Sequence, residues 1–165
     1  MSKRVVKVSL TSASLDNAIR ELEQYRKWLV ERTKVFLEAL AAEGMNIASA
    51  RFAQATYDGD NDVTVSIEER GDNKYAVVAT GKATLFIEFG TGIAYPDSHP
   101  EGAETGMVHG SWSESELGKG HWDDPNGWYY AHGRKSHGNP ANMSMYNSIR
   151  ELETKFEEIA RKVFI

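Results

Sequence analysis

Residues 85–92, Leu85-Phe86-Ile87-Glu88-Phe89-Gly90-Thr91-Gly92, mark the point where a folded core gives way to something else. An apolar run carrying one carboxylate, Glu88, stops abruptly at Gly90-Thr91-Gly92. Residues 93–127 then hold few aliphatic side chains and are rich in Gly, His and Trp. So long a connection in a compact domain is uncommon unless it is used, and it reads as a segment that contacts a partner. The run at 85–89 is a third strand or a short helix; periodicity does not decide over so few residues. Glu88 lies among Phe86, Ile87 and Phe89, where a charge must be paired or stay at the rim. An internal salt bridge or backbone hydrogen bond and an inter-subunit partner are both open. The Gly-Thr-Gly triplet would cradle phosphate only between a strand and an opening helix. Ile93-Ala94-Tyr95-Pro96 opens no helix, so the glycines are read as allowing a sharp turn with positive φ. No cofactor is expected.

Upstream, Val63, Val65 and Ile67 alternate with polar residues, and Tyr75, Val77 and Ala79 do the same after the turn residues Arg70-Gly71-Asp72-Asn73. This predicts a β-hairpin with one buried face. Further back, Leu15, Leu22, Leu29 and Phe36 recur every seven residues, with Ile19, Tyr25 and Leu40 beside them. That is a helical stripe, capped at its start by Ser12 or Ser14. From Leu15 to Glu43 such a helix is roughly 43 Å long, against a radius of gyration of about 15 Å for a globule of this size. It spans the molecule, or its end leans on something else. Gly44 costs about 1 kcal/mol inside a helix, which predicts a break there and a second helical piece over 45–55. Residues 4–10 alternate as a short edge strand. Downstream, Asn139-Pro140 suits an N-cap followed by proline in the first turn. Met145, Ile149, Leu152, Phe156, Ile159 and Val163 trace a final helix, with Arg150, Lys155, Glu157 and Glu158 on its solvated side.

The fold class expected is therefore α+β: a small antiparallel sheet packed by a long N-terminal and a C-terminal helix. Residues 1–165 form one domain, with 93–127 as an extended loop insertion. A net charge of −5 and no basic stripe argue against nucleic acid as the main partner. No apolar run approaches the ~20 residues needed to span a bilayer, and the N-terminus has no signal-peptide block. Cysteine is absent, which excludes disulfides and thiolate zinc sites and fits synthesis in a reducing cytosol.

All five histidines (His99, His109, His121, His132, His137) lie between 99 and 137. Their spacings, ten to twelve residues and then five, match neither a one-turn pair on a helix nor a compact finger. Asp97, Glu101, Glu104, Asp123 and Asp124 complete a metal site only on paper, and Glu114 and Glu116 read as solvated charge rather than an acid–base pair. No catalytic or metal-binding residue is assigned and no enzyme is expected. The alternative is a small metal-dependent hydrolase using this histidine-rich stretch. Trp112, Trp122, Trp128, Tyr129 and Tyr130 either fold back over the sheet or meet another chain, where aromatics bury large area at small entropic cost.

Ala79-Thr80-Gly81-Lys82-Ala83 leading into Leu85–Gly92, Trp128-Tyr129-Tyr130, His137-Gly138-Asn139-Pro140-Ala141 and Met145-Tyr146 together carry a resemblance. The chain resembles the tail-completion, or head–tail joining, proteins of long-tailed bacteriophages, the HK-type minor tail protein family. Its upstream order, a long helix, the Glu43-Gly44 junction and a strand over 62–68, extends the likeness over most of the chain. Only Glu88–Gly92 and the two stretches Gly138–Ala141 and Met145-Tyr146 are specific. Many members carry Pro-Phe near the start of the last helix, where Met143-Ser144-Met145 stands here. The resemblance implies a virion structural protein at the head–tail junction, made in the host bacterial cytoplasm. It implies a homo-oligomer, a hexameric ring in the virion, with the connector, tail terminator or tail tube as partners and no membrane. Phe86, Glu88, Phe89, Gly90, Thr91 and Gly92 would shape the base from which the loop departs, Trp112 and Trp122 would lie on it, and Trp128, Tyr129 and Tyr130 would close it.

Overall fold

The computed structural model describes residues 5–55, 61–90, 99–100, 128–129, 135–136 and 138–165. The order is helix α1 (Ser12–Gln54), strands β1 (Thr64–Glu69) and β2 (Tyr75–Thr80), a short helix α2 (Thr84–Phe89), the two-residue strands β3 (Trp128–Tyr129) and β4 (Lys135–Ser136), and helix α3 (Ser144–Phe164). The fold is α+β.

Helix α1 starts one residue before the serines expected to cap it. Thr11 is the N-cap, its hydroxyl accepting the Ser14 N–H, the geometry in which a β-region residue satisfies a first-turn donor. Residues 5–10 form no strand; their alternation finds no pairing partner among the described residues, and Leu10 is fully exposed. Nor does α1 break at Gly44: it runs through as one helix of 43 residues. The conformational cost of glycine was read without its packing. A Cβ at Gly44 would sit 3.3 Å from Leu152 Cδ2 and 3.4 Å from Val77 Cγ2, so the missing side chain lets α3 and β2 close on α1. At the other end Asn61 donates its amide to the carbonyls of Phe52 (2.5 Å) and Ala55 (2.8 Å), satisfying acceptors that a helix C-terminus leaves open.

β1 and β2 pair antiparallel, Val65 opposite Ala79 and Ile67 opposite Val77, the register the alternation requires. The turn closes through Arg70 N–H to the Lys74 carbonyl at 2.7 Å, with Gly71 and Asn73 at positive φ. Val63, Val65 and Ala79 lie against a core of Phe52, Ala55, Ala83 and Ile87, joined by Met145. Phe52 is 1% exposed, and burying a side chain of this size contributes about 1.5–3 kcal/mol.

Helix α3 runs antiparallel to α1. Leu152 meets Gly44, Phe156 packs edge-on against Phe36 with ring centroids 5.1 Å apart, and Phe164 reaches Trp28 at 6.2 Å. Two ion pairs flank the seam: Arg51 with Glu151 at 2.7 Å and Lys155 with Glu43 at 2.5 Å. Lys155, expected on the solvated side, is therefore half-buried between the helices. Hydrogen bonding and nearby charge from Glu43, with Glu151 adding to both, raise its pKa against the cost of desolvation. At 1.5 Å per residue α3 covers about 32 Å, against about 64 Å for α1. The first four turns of α1 extend past the end of α3.

Candidate functional site

The run at 85–89 is helical, and its placement begins upstream. The Asp62 carboxylate accepts the backbone N–H groups of Lys82 (2.8 Å) and Ala83 (3.0 Å). Those bonds, Ala83 first, hold the Asp62 carboxyl below the usual carboxylate range. Gly81 stands at φ +151, where a Cβ would fall 2.8 Å from the Asp62 carbonyl oxygen. Asn61 and Asp62, side by side, thus fix the end of α1 and the start of α2.

Helix α2 delivers Glu88 inward, only 6% exposed. One carboxylate oxygen accepts the Met145 N–H at 2.7 Å and the other the Tyr146 N–H at 2.9 Å. Both donors lie in the first turn of α3, where backbone N–H groups have no partner within the helix. Glu88 therefore caps α3 from another element, with its charge at the favourable end of the helix dipole. This corrects the expectation that Asn139-Pro140 would start the helix. Its N-cap is Met143, at φ +57 and with no side-chain cap of its own, because the capping oxygens arrive from Glu88. Of the two readings of Glu88, the backbone hydrogen bond within the subunit is the one observed.

The joint extends along the backbone. Asn142 N–H donates to the Ile87 carbonyl at 2.8 Å and Met143 N–H to the Glu88 carbonyl at 3.2 Å. Gly90 adopts φ +76, and a Cβ there would lie 2.5 Å from the Asn139 carbonyl oxygen and 2.6 Å from Ala141 N. Only glycine fits that approach. The backbone at Gly90 is thus in direct contact with that of Asn139–Ala141.

His99 closes the joint from the far side. It is 5% exposed, with Nε2 3.2 Å from Glu88 Oε1, its ring 4.4 Å from Phe89 and 5.5 Å from Tyr146. Arg150 approaches the Tyr146 hydroxyl at 3.3 Å and lies over its ring at 5.4 Å; that contact, then Glu153, raises the Arg150 pKa. A cleft of about 400 Å³ borders the joint, lined in part by Arg70, Phe89, His99, Tyr146 and Ile149. The Glu88 carboxylate accepts two backbone donors and meets the imidazole, so its role in this arrangement is to hold α2, residue 99 and α3 together.

Of the residues singled out in the sequence, Phe86, Glu88, Phe89 and Gly90 belong to this joint or to the helix that forms it. Trp128 and Tyr129 pair through their backbones with Ser136 and Lys135. Thr91, Gly92, Trp112, Trp122 and Tyr130 lie outside the described residues, as do His109, His121, His132, His137 and every other residue of the 93–127 insertion except His99 and Pro100. Among the described residues no three metal-ligating side chains gather, and no helix is long and apolar enough to cross a membrane. Sequence reasoning missed Asp62, Asn142 and the pairing of His99 with Glu88. The one usable signal was a lone carboxylate in an apolar run. Comparison with known proteins finds no matching family model, no matching curated protein and no matching solved structure.

Proposed function

We propose that the chain is a structural protein of a bacteriophage virion that joins head to tail, working through protein–protein contacts rather than catalysis. One observation carries this reading. The two stretches most specific to the resemblance, Glu88-Phe89-Gly90 and Gly138–Ala141 with Met145-Tyr146, are distant in sequence yet form one joint. A motif split in this way makes sense as a base for what lies between its halves. In this reading the body presents residues 93–127, apart from the buried His99, to neighbours in the neck (connector, tail terminator or tail tube), as one subunit of a ring. The ordering cost of such a segment falls due on contact.

Removing residues 101–125, which leaves His99 in the joint, in a phage genome encoding this chain tests the reading. The purified variant should keep the far-ultraviolet circular dichroism of the parent, while lysates should contain filled heads without attached tails in electron micrographs. Normal infectious particles from the deletion would overturn the assignment.

A further inference from the structure

The apolar face of α1 does not end where α3 ends. Stepping by three and four residues, with one step of seven across Arg26, Leu40, Leu37, Thr33, Leu29, Leu22, Ile19 and Leu15 continue one side of the helix. From Thr33 onward this side is at least half-buried. Leu29, Leu22, Ile19 and Leu15, with neighbouring Val30, are instead 41–56% exposed. The protruding turns therefore present a stripe that continues an interface already formed inside the subunit. Scattered exposed leucines are ordinary; a stripe at helical spacing, rimmed by charges, is the mark of a helix-binding surface.

The charges beside the stripe identify its occupant. Residues 16–23 carry three carboxylates, Asp16, Glu21 and Glu23, against the single cation Arg20. Residues 26–34 carry four cations, Arg26, Lys27, Arg32 and Lys34, against the single carboxylate Glu31. A parallel copy would set acid against acid and base against base. An antiparallel copy, related by a two-fold axis near Gln24–Tyr25, sets each acidic block against the partner's basic one. Such complementarity fixes orientation and register, and a two-fold contact uses the same patch on both subunits.

We infer that the end of α1 extending past α3 is a self-recognition surface, on which a second copy of this chain docks antiparallel through Leu15, Ile19, Leu22 and Leu29. This contact does not depend on the head–tail reading and stands or falls separately from it.

The test uses the full-length chain. Sedimentation across a concentration series should give a dimer, weakened by added salt because the charge blocks are exposed. Leu22→Asp should abolish the dimer while leaving the helical circular dichroism intact, since Leu22 is not part of the subunit core. Orientation is read separately. The chain has no cysteine, so spin labels at Asn17→Cys or Gln24→Cys are unambiguous. In the antiparallel pair the two labels at 17 are offset along the helices by about 21 Å more than the two at 24. A parallel pair gives equal distances at both positions. A monomer at every concentration, an assembly that Leu22→Asp leaves intact, or equal label distances would each overturn the inference.

Discussion

Glu88 and Met145 stand 57 positions apart, yet the carboxylate of the first accepts the backbone N–H of the second at 2.7 Å. Every other feature of the joint is arranged around that bond: Tyr146 N–H on the second oxygen, His99 against the same group, Gly90 letting the backbones meet. The first turn of α3 has no cap of its own, so its stability is borrowed from α2.

Replacing Glu88 therefore costs more than an ordinary surface cap. Glu88→Ala strands the Met145 and Tyr146 backbone donors, and an unsatisfied buried group costs about 1–3 kcal/mol. A total loss of about 3 kcal/mol lowers the melting temperature by roughly 6–12 °C in a chain of this size. Glu88→Gln, keeping one acceptor oxygen, should fall between. Thermal unfolding followed by circular dichroism checks the order, and an unchanged Glu88→Ala melt would remove the joint from the account.

Two glycines with positive φ should respond very differently to alanine. Gly71→Ala meets nothing within 4 Å of its new Cβ, leaving only the left-handed penalty of about 1–2 kcal/mol. Gly90→Ala adds a collision with the Asn139–Ala141 backbone. It should cost at least about 2 kcal/mol more, in the range of overpacked cores. Paired denaturant melts of the two variants measure the difference directly.

At Gly44 two effects oppose. Alanine gains about 1 kcal/mol of helix propensity but sets a methyl 3.3 Å from Leu152, so the net change should stay within about 1 kcal/mol. Gly44→Leu cannot be absorbed and should destabilise by about 1–3 kcal/mol or more. A strongly stabilising Gly44→Leu in urea titrations would mean that α3 does not press on α1 at this position.

Asp62 gives the fold an acid-sensitive contribution. Its carboxyl is held low by the Ala83 and Lys82 amides, so folding depresses its pKa. That stabilisation is complete above the unfolded carboxylate value of about 4 and disappears as pH falls through the lower, folded value. Asp62→Asn should be less stable than the parent at neutral pH, and the two should converge as pH drops below about 4. Denaturant midpoints at stepped pH read the gap; one that stays constant to low pH would contradict the hydrogen bonds.

Local pattern was enough for the existence of the hairpin and of both long helices, because alternation at 63–67 and 75–79 and the helical spacing of α1 and α3 report the element type, although the α1 stripe at Leu15, Ile19, Leu22 and Leu29 is exposed. The readings that failed share a cause. Gly44 was judged by backbone preference when its neighbours 33 and 108 positions away, Val77 and Leu152, set its role. Asn139-Pro140 looked like a helix start because a cap supplied from residue 88 leaves no mark beside the helix it serves. Residues 5–10 alternate like a strand but pair with none among the described residues. Glu88 alone advertised its importance, since a lone charge in an apolar run demands compensation, although nothing nearby named Met145, Tyr146 or His99 as the answer.

The contact between Gly90 and the Asn139–Ala141 backbone has an evolutionary consequence. Two anchor points already fastened together make a socket, and the entropy of closing a connection between fixed ends grows only logarithmically with its length, by about 0.6 kcal/mol for each doubling. Lengthening, shortening or exchanging residues 101–127 should scarcely disturb the scaffold, so descendants of this gene are free to diverge there while the clasp, His99 included, stays unchanged.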